Sequence, residues 1–452
     1  MKKIKILLIS ANTFRIPYPV YPLGISYLKS YFKKNRPDYE VRLFDFNLKS
    51  SEQLINELNE FLPDFVGISM RNVDSVNSLN NESFISHYKK IVDVVKQNSK
   101  AVTVAGGSGF SIFPKKLYNE LGTDFGIYGE GEESLQQLID SVQNNSDYTK
   151  IEGLVFKKAG NTVFNAKITF LKSLDLNFDS NFLDFYWKQS GMLNIQTKRG
   201  CPYKCIYCTY PLIEGTNVRM LDSDKIVDAL KVLYFDKGID YLFFTDSVFN
   251  LNNDYNFELA EKIIRSKVKI KWGAYFTLKN LPEDLLKVLK KAGLSHIEFG
   301  TESFSDTTLE KYGKHFTVSE IIEKSNLCNK LEIDFAHFLI LGGYGETDET
   351  IRETFENSKK INHSVFFPFV GMRIYPGTSL QKYAIEEGII SKTDDLLEPK
   401  YYMSKNVNLQ NLKELAKATG RRWVFPDEDL TNVMMKMRAK NKKGPLWEYL
   451  IK

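Results

Sequence analysis

The sequence predicts an α/β protein: a doubly wound, Rossmann-like N-terminal domain, then a partial (β/α)6 TIM-like barrel, then a helical C-terminal cap. Three observations lead there. Short apolar runs alternate with longer amphipathic stretches twice along the 452 residues, first up to about residue 145 and again from about 190 to 385. Alternation of this kind builds parallel sheets. A polar, irregular stretch separates the halves, and a polar tail with scattered large apolar residues follows them. The expected boundaries are 1–145, a linker with a small hairpin at 146–190, 191–385 and 386–452.

In the first domain the candidate strands are Ile4 to Ser10, Val41 to Phe46, Phe65 to Met70, Ala101 to Ala105 and Phe125 to Tyr128, with helical spacing over Gly24 to Phe32 and Phe84 to Val95. Ligands of such sheets bind beyond the carboxyl ends of the strands, which selects loops beginning near Asn12, Ser69, Gly106 and Gly129. Gly106-Gly107-Ser108-Gly109 follows a strand. It reads either as a simple turn or as a place where a ligand approaches the backbone, and it does not fit the dinucleotide fingerprint. Gly129-Glu130-Gly131-Glu132-Glu133 opens a helix with acidic residues, which suit its N-terminus. Ile151 to Phe156 and Thr162 to Asn165 flank the turn Ala159-Gly160-Asn161 as a hairpin, and Leu174 to Asp179 reads as the domain boundary.

The second repeat offers strands Met192 to Thr197, Tyr241 to Thr245, Ile270 to Tyr275, His296 to Gly300, Ile333 to Leu341 and Phe366 to Tyr375. Asp222 or Ser223 caps one helix; Pro282 opens another that Gly293 closes. Functional groups of barrels project from the carboxyl ends of strands, which selects Asp246, Ser247, Glu302, Ser303 and Arg373, the last equally readable as structural. The tail is expected as a helical cap over the barrel mouth, with Met434-Met435-Lys436-Met437 packed as core.

Composition excludes several classes. The 61 basic and 56 acidic residues give a net charge of +5 but are interspersed, so nucleic-acid binding is not expected. The apolar start is interrupted by Lys5 and lacks a small-residue cleavage site, so it reads as a first strand rather than a signal peptide. No apolar run approaches the roughly 20 residues of a membrane span.

Only four cysteines occur, and three of them, Cys201, Cys205 and Cys208, fall within eight positions. Thiolates at such spacing suit an iron–sulfur cluster with one iron left open. Structural zinc wants a fourth nearby ligand, and the closest histidine in sequence is His296. A disulfide framework does not fit a chain this long. Cys328, in a helix-like run, reads as a small buried apolar residue.

Cys201, Cys205, Tyr207 and Cys208 match the Cys-x3-Cys-x-aromatic-Cys signature position for position, and here the chain resembles the radical S-adenosylmethionine (SAM) enzymes. The resemblance implies a 4Fe-4S cluster on the three thiolates, with SAM on the open iron and the main chain at Tyr207 near its adenine. Gly300-Thr301-Glu302-Ser303 resembles the family's fourth-strand SAM motif, and Asp246-Ser247 stands where Gly-Gly-Glu is common. Gly342-Gly343-Tyr344-Gly345-Glu346-Thr347 resembles a family turn with Tyr344 replacing proline, a capping role. Arg373 beside Tyr375-Pro376-Gly377 is implied at SAM's carboxylate or a substrate anion.

The first domain resembles the cobalamin-binding domain that precedes many of these enzymes. Ser69 and Gly106-Gly107 match its second and third motifs, and Tyr21-Pro22-Leu23-Gly24 resembles its first-helix entry. The resemblance implies a cobalamin site at Asn12, Pro22, Ser69, Arg71, Gly106, Gly107, Gly129 and Glu130. The Asp-x-His-x-x-Gly motif is absent, since no histidine precedes His87. Cobalamin is therefore expected with its base detached and no histidine replacing it. Arg71 then has two readings: a cation at the lower cobalt face, or an ordinary loop arginine.

Class B methylase-like chemistry follows, with methyl transfer from SAM to an unactivated carbon, or less readily phosphorus, of a small-molecule, lipid or peptide substrate. Two alternatives stand beside it: a non-methylating radical SAM enzyme (cyclisation, rearrangement or lyase) with a vestigial cobalamin-type domain, and a cobalamin- or SAM-sensing protein without turnover. The expected setting is cytoplasmic, as a monomer or weak dimer fed by a flavodoxin- or ferredoxin-type electron donor. The cysteine count leaves no auxiliary cluster, because the N-terminal domain has none and only Cys328 follows the loop.

Overall fold

The computed structural model describes residues 3–171 and 176–451. Leu174 and Asp175, expected within the domain boundary, lie outside the described residues. Contacts divide the chain into one unit of residues 1–75, 82–189 and 212–214, and a second of 76–81, 190–211 and 215–452.

The first unit is built on β1 (Ile4–Ser10), β2 (Tyr39–Asp45), β3 (Phe65–Ser69), β4 (Val102–Gly106), β5 (Phe125–Ile127), β6 (Leu154–Lys158) and β7 (Asn161–Phe164), ordered β2-β1-β3-β4-β5-β6-β7. The first five strands are parallel. Ile6 to Ile9 are wholly enclosed, which is why an apolar run without alternation forms the central strand. Strand order reverses between β1 and β3, and this opens a crevice beyond their carboxyl ends. The hairpin expected as a linker belongs to the sheet instead: β6 pairs antiparallel with β5, and β7 with β6. The helix Ser180–Ser190 also belongs to this unit, where Tyr186 donates its hydroxyl to Asp45. A hairpin signal cannot say that its first strand will find a neighbour.

The second unit carries β8 (Leu193–Ile195), the short ribbon β9 (Lys198–Arg199) with β10 (Arg219–Met220), then β11 (Tyr241–Phe244), β12 (Lys271–Phe276), β13 (Leu294–Glu302), β14 (Asp334–Leu341) and β15 (Ser364–Val370). A second ribbon, β16 (Met372–Arg373) with β17 (Tyr401–Tyr402), and a last strand β18 (Arg422–Trp423) follow. The main sheet runs β18-β15-β14-β13-β12-β11-β8 and is parallel throughout. Six strands form the partial barrel, and the tail adds a seventh.

The last part of the tail lies away from the mouth. Lys443 pairs with Asp240 at 2.9 Å, just before β11; Gly444 N–H donates to Gly191 O, just before β8; and Tyr241, first in β11, donates to Glu448 Oε1 at 2.7 Å. These are the amino ends of the strands, so the end of the tail closes the floor of the barrel, while its first part stays at the carboxyl ends, where Ser404 N–H donates to Gly342 O just after β14. Trp447 and Leu450 join Ala336, Val365 and Val424 in one apolar cluster. The methionine run is not core either: the helix Thr431–Ala439 buries none of its residues, and Met435 is exposed. Three methionines in four positions spread over about 160° of a helix, too broad an arc to single out one buried face.

Candidate active site

The cysteine loop leaves β9 through Gly200, whose φ is +91°; a side chain there would meet Asn217 O at 2.2 Å, so only glycine permits the turn into Cys201. Backbone bonds then fix the loop. Cys201 N–H donates to Gly215 O (3.1 Å), Ile206 N–H to Tyr312 O (3.2 Å), Cys208 N–H to Cys205 O (3.2 Å), and Leu380 N–H to Ile206 O (2.9 Å). Cys201 is buried, and Cys205 and Cys208 are partly so; all three are free thiols. Burial pushes the Cys208 thiol up to about 12 and also raises that of Cys201. Ser247 reaches the same loop, donating to Gly200 O at 3.0 Å. Among the described residues no three His, Cys, Asp or Glu side chains are arranged to hold a single metal ion. A cubane does not ask them to be, since it takes each thiolate on a different iron.

Beside the loop stands a second group at the carboxyl end of β13. The β13–β14 register shifts between Gly300 and Glu302, and Glu302 carries φ +66°. A non-glycine residue held in that region at a strand end is a strained position that the surroundings must enforce. The Glu302 carboxylate accepts from Tyr207 Oη at 2.6 Å and from Lys314 Nζ at 3.1 Å, and Lys314 also donates to Gly300 O at 3.1 Å. Burial works to lower the Lys314 pKa, but Glu302 and Cys205 outweigh it, so the ammonium is held charged above the ordinary lysine value. Burial likewise raises Tyr207 well above the phenol range. A cation, an anion and a phenol thus ring the cysteine loop.

Three expected site residues have other duties. Asp246 is fully buried. Its Oδ1 accepts from Thr197 N (2.7 Å) and Lys198 N (3.1 Å), and its Oδ2 from Thr197 Oγ1 (2.5 Å) and Lys198 Nζ (3.0 Å). The four acceptor positions are filled, so none is left for a SAM ammonium. Ser303 faces inward, bonded to Thr354 Oγ1 at 3.0 Å and accepting from Ser305 N. Arg373 is buried and donates to Ile374 O and Leu396 O, both at 2.7 Å, which makes it a chain clamp.

In the first unit, Asn12, Ser69 and Gly106–Gly107 gather at the crevice. Ser10, Ser69 and Gly106 lie level in register, with Ala11 N–H donating to Ser69 O and Met70 N–H to Gly106 O. Gly107 has φ +95°, and a Cβ there would strike Met70 O at 2.5 Å. The amide oxygen of Asn12 is enclosed without a partner. That orphaned acceptor fits a site built for a polar, amide-rich ligand. Arg71 is exposed, its carbonyl accepting from Ser108 Oγ. Pro22 caps the helix Leu23–Asn35, and Gly129 turns the chain at φ +74°. Glu130 is buried, and its carboxylate accepts from Leu171 N at 2.9 Å.

Sequence reasoning passed over Lys314, His87 and Lys198. Lys314 follows a short helix and carries no motif. His87, on the helix Ile85–Asn98, reaches the first loop from elsewhere, with Nε2 donating to Ala11 O at 3.1 Å.

Two family profiles match the chain: the radical SAM superfamily over residues 195–357 and the B12 binding domain over residues 9–139. The chain belongs to the cobalamin-dependent radical SAM methylase family. An uncharacterized methyltransferase of Pyrococcus horikoshii is 25% identical over 430 residues, covering 90% of this chain and 91% of that one. The tryptophan 2-C-methyltransferase of Streptomyces laurentii is 23% identical, covering 86% of this chain and 75% of its own length. The fold is that of the radical SAM methyltransferase TsrM of Kitasatospora setae, solved with cobalamin and a 4Fe-4S cluster, with TM-score 0.88 at 20% identity over 99% and 97% of the two chains. As in other members of this family, a cobalamin-type sheet and a cluster-bearing barrel occupy one chain. No helix among the described residues is long and apolar enough to cross a membrane.

Proposed function

We propose that this enzyme methylates an unactivated carbon of a small apolar molecule, taking the methyl group from SAM by way of cobalamin bound base-off. The observation that carries the reading is the cysteine loop fixed against Tyr207, Glu302 and Lys314 in a chain that also builds the Asn12 crevice. Cys201, Cys205 and Cys208 would hold the cluster, and the crevice residues the corrinoid. When bound, these groups supply low-potential electrons and a methyl carrier.

The chain's own residues do the positioning. Glu302 offers an acceptor for the SAM ammonium, Lys314 keeps that carboxylate oriented, and Tyr207 fixes the rotamer of Glu302 from inside the loop. Ser247 anchors the loop's entry. Arg71 would supply a cation to a corrinoid held in the crevice. Lipid and peptide substrates rank behind small molecules, the class of the tryptophan-methylating relative. The electron donor is of flavodoxin or ferredoxin type, the setting is the cytoplasm, and the enzyme works as a monomer or weak dimer.

The test is cobalamin stoichiometry of anaerobically purified, cluster-reconstituted protein, read from visible spectra, with Cys208→Ala as the cluster control. About one base-off cobalamin per chain supports the reading. No binding at saturating cobalamin sinks it.

A further inference from the structure

A short strip of chain runs along the cysteine loop and delivers one buried cation to it. Tyr312 O accepts from Ile206 N at 3.2 Å. At the next residue a Cβ on Gly313 would meet Lys204 O at 2.9 Å and Cys205 Cα at 3.7 Å, so the approach requires glycine. Lys314 Nζ then lies over the Tyr207 ring at 5.8 Å, and the His315 ring stands 5.6 Å from that of Tyr203. The strip from Tyr312 to His315 thus follows the loop from Tyr203 to Tyr207.

Burial sets Lys314 apart from the other lysines nearby. Its side chain is 10% exposed, whereas Lys204 and Lys311 face water, which screens their charge. Lys198 is buried too, but its ammonium is paired with Asp246 at 3.0 Å. Lys314 also acts on the thiols themselves: it works against burial to pull Cys201 and Cys208 down. An ammonium has three N–H donors. Gly300 O takes one and Glu302 Oε1 another, both at 3.1 Å, and among the described residues no acceptor takes the third. An enclosed donor left unspent beside three thiols is placed for whatever those thiols hold.

A 4Fe-4S cube on three thiolates is anionic, and reduction makes it more so. Its potential follows the charge around it, hydrogen bonds to its sulfurs and exposure. A cation held beside it out of water favours the reduced form, and an anion opposes it. We propose that Lys314 sets the reduction potential of the cluster, its ammonium favouring uptake of one electron from a low-potential donor, with Glu302 as the opposing charge. The donor is oxidised by one electron as the cluster is reduced, and no bond forms or breaks. The inference rests on the radical SAM reading above and gives Lys314 a duty beyond orienting Glu302.

The test is a redox titration of the full chain, reconstituted anaerobically, poised with dithionite and mediators without SAM, and followed by EPR after iron and sulfide have been counted. Lys314→Met should lower the midpoint, leaving about tenfold less reduced cluster at a fixed potential, about 59 mV for one electron. Glu302→Gln should raise the midpoint, and the double variant should return close to the parent. Lys314→Arg keeps the charge and should stay within about twofold. A lysine that only oriented Glu302 would not shift the midpoint with the sign of the charge removed. An unchanged midpoint in Lys314→Met at parental iron content overturns the proposal, and so does a fall or no change in Glu302→Gln. Should Lys314→Met fail to keep its cluster, Glu302→Gln decides, since it retains the ammonium. Failure of the enzymatic reading looks different: a parent chain that takes up no cluster sinks both ideas, whereas cluster and cobalamin with midpoints blind to charge keep that reading and sink this one.

Discussion

Asp246 follows β11 and Glu302 ends β13, two strands apart in the sheet at the same carboxyl edge, and motif position alone treats them as equals. The structure separates them. Asp246 is wholly enclosed, sits on unstrained backbone and has each oxygen bonded twice within the chain, including an ion pair with a fully buried lysine. Glu302 is partly open, holds φ +66°, and spends one oxygen on two partners, Tyr207 and Lys314. An acid whose acceptor capacity is exhausted is holding the protein together. One with spare capacity and enforced strain is positioned for something else.

The largest effect that would break this comparison is on stability. Lys198 Nζ lies among Asp246 Oδ2, Thr197 Oγ1 and Asn256 Oδ1, and over the Phe249 ring at 4.2 Å. Burial pulls its pKa down, and Asp246 offsets only part of that. Asp246→Asn strands that ammonium, so urea denaturation should show a loss of about 3–5 kcal/mol. Iron content after reconstitution should fall with it, since Lys198 stands three residues before Cys201. A loss below about 1 kcal/mol would mean that the pair is not structural.

Glu346 sharpens the contrast with a third acid. It is buried in the turn Gly342–Thr347, accepting from Gly342 N (2.5 Å) and Gly343 N (3.0 Å), and burial lifts its pKa from 4.5 to about 8. The folded chain therefore keeps a proton that the unfolded chain releases. Stability is full below the ordinary value and declines as pH rises toward 8, by on the order of a few kcal/mol. Glu346→Gln should flatten that slope in denaturation midpoints taken from pH 5 to 8; parallel profiles in parent and variant would refute the assignment.

How much of this was legible in the sequence follows from how local each feature is. The cysteine loop and most strands are written in short-range spacing and apolar runs, and β1 falls at Ile4–Ser10 in both readings. The bonds that occupy Asp246 were hidden because its partners Thr197 and Lys198 lie 48 or 49 positions away. Whether a carboxylate is already satisfied is a tertiary fact that no motif carries. β18 escaped because a two-residue strand has no periodicity, and the floor escaped because its anchors, Glu448 and Trp447, become meaningful only beside Tyr241 and Glu298. Lys314 was invisible for the same reason.

Arg373 belongs with Asp246. Its guanidinium spans two carbonyls that an ammonium cannot reach together, so Arg373→Lys should cost about 1–2 kcal/mol and leave SAM affinity within about twofold. A large loss of SAM binding with intact stability would return it to the cofactor site.

The smallest effect on stability and the sharpest on function should come from Glu302. Glu302→Gln keeps the shape and an acceptor for Tyr207, and Lys314 retains Gly300 O, so the fold should lose only about 1 kcal/mol. The charge facing a SAM ammonium disappears, however, and equilibrium dialysis of cluster-reconstituted protein should show at least about tenfold weaker SAM binding. Asp246→Asn should show the opposite pattern, a large stability loss with SAM affinity preserved in whatever fraction stays folded and holds the cluster. If the two variants move stability and SAM affinity in the same proportion, the division between a satisfied acid and an available one fails, and Glu302 is one more structural carboxylate.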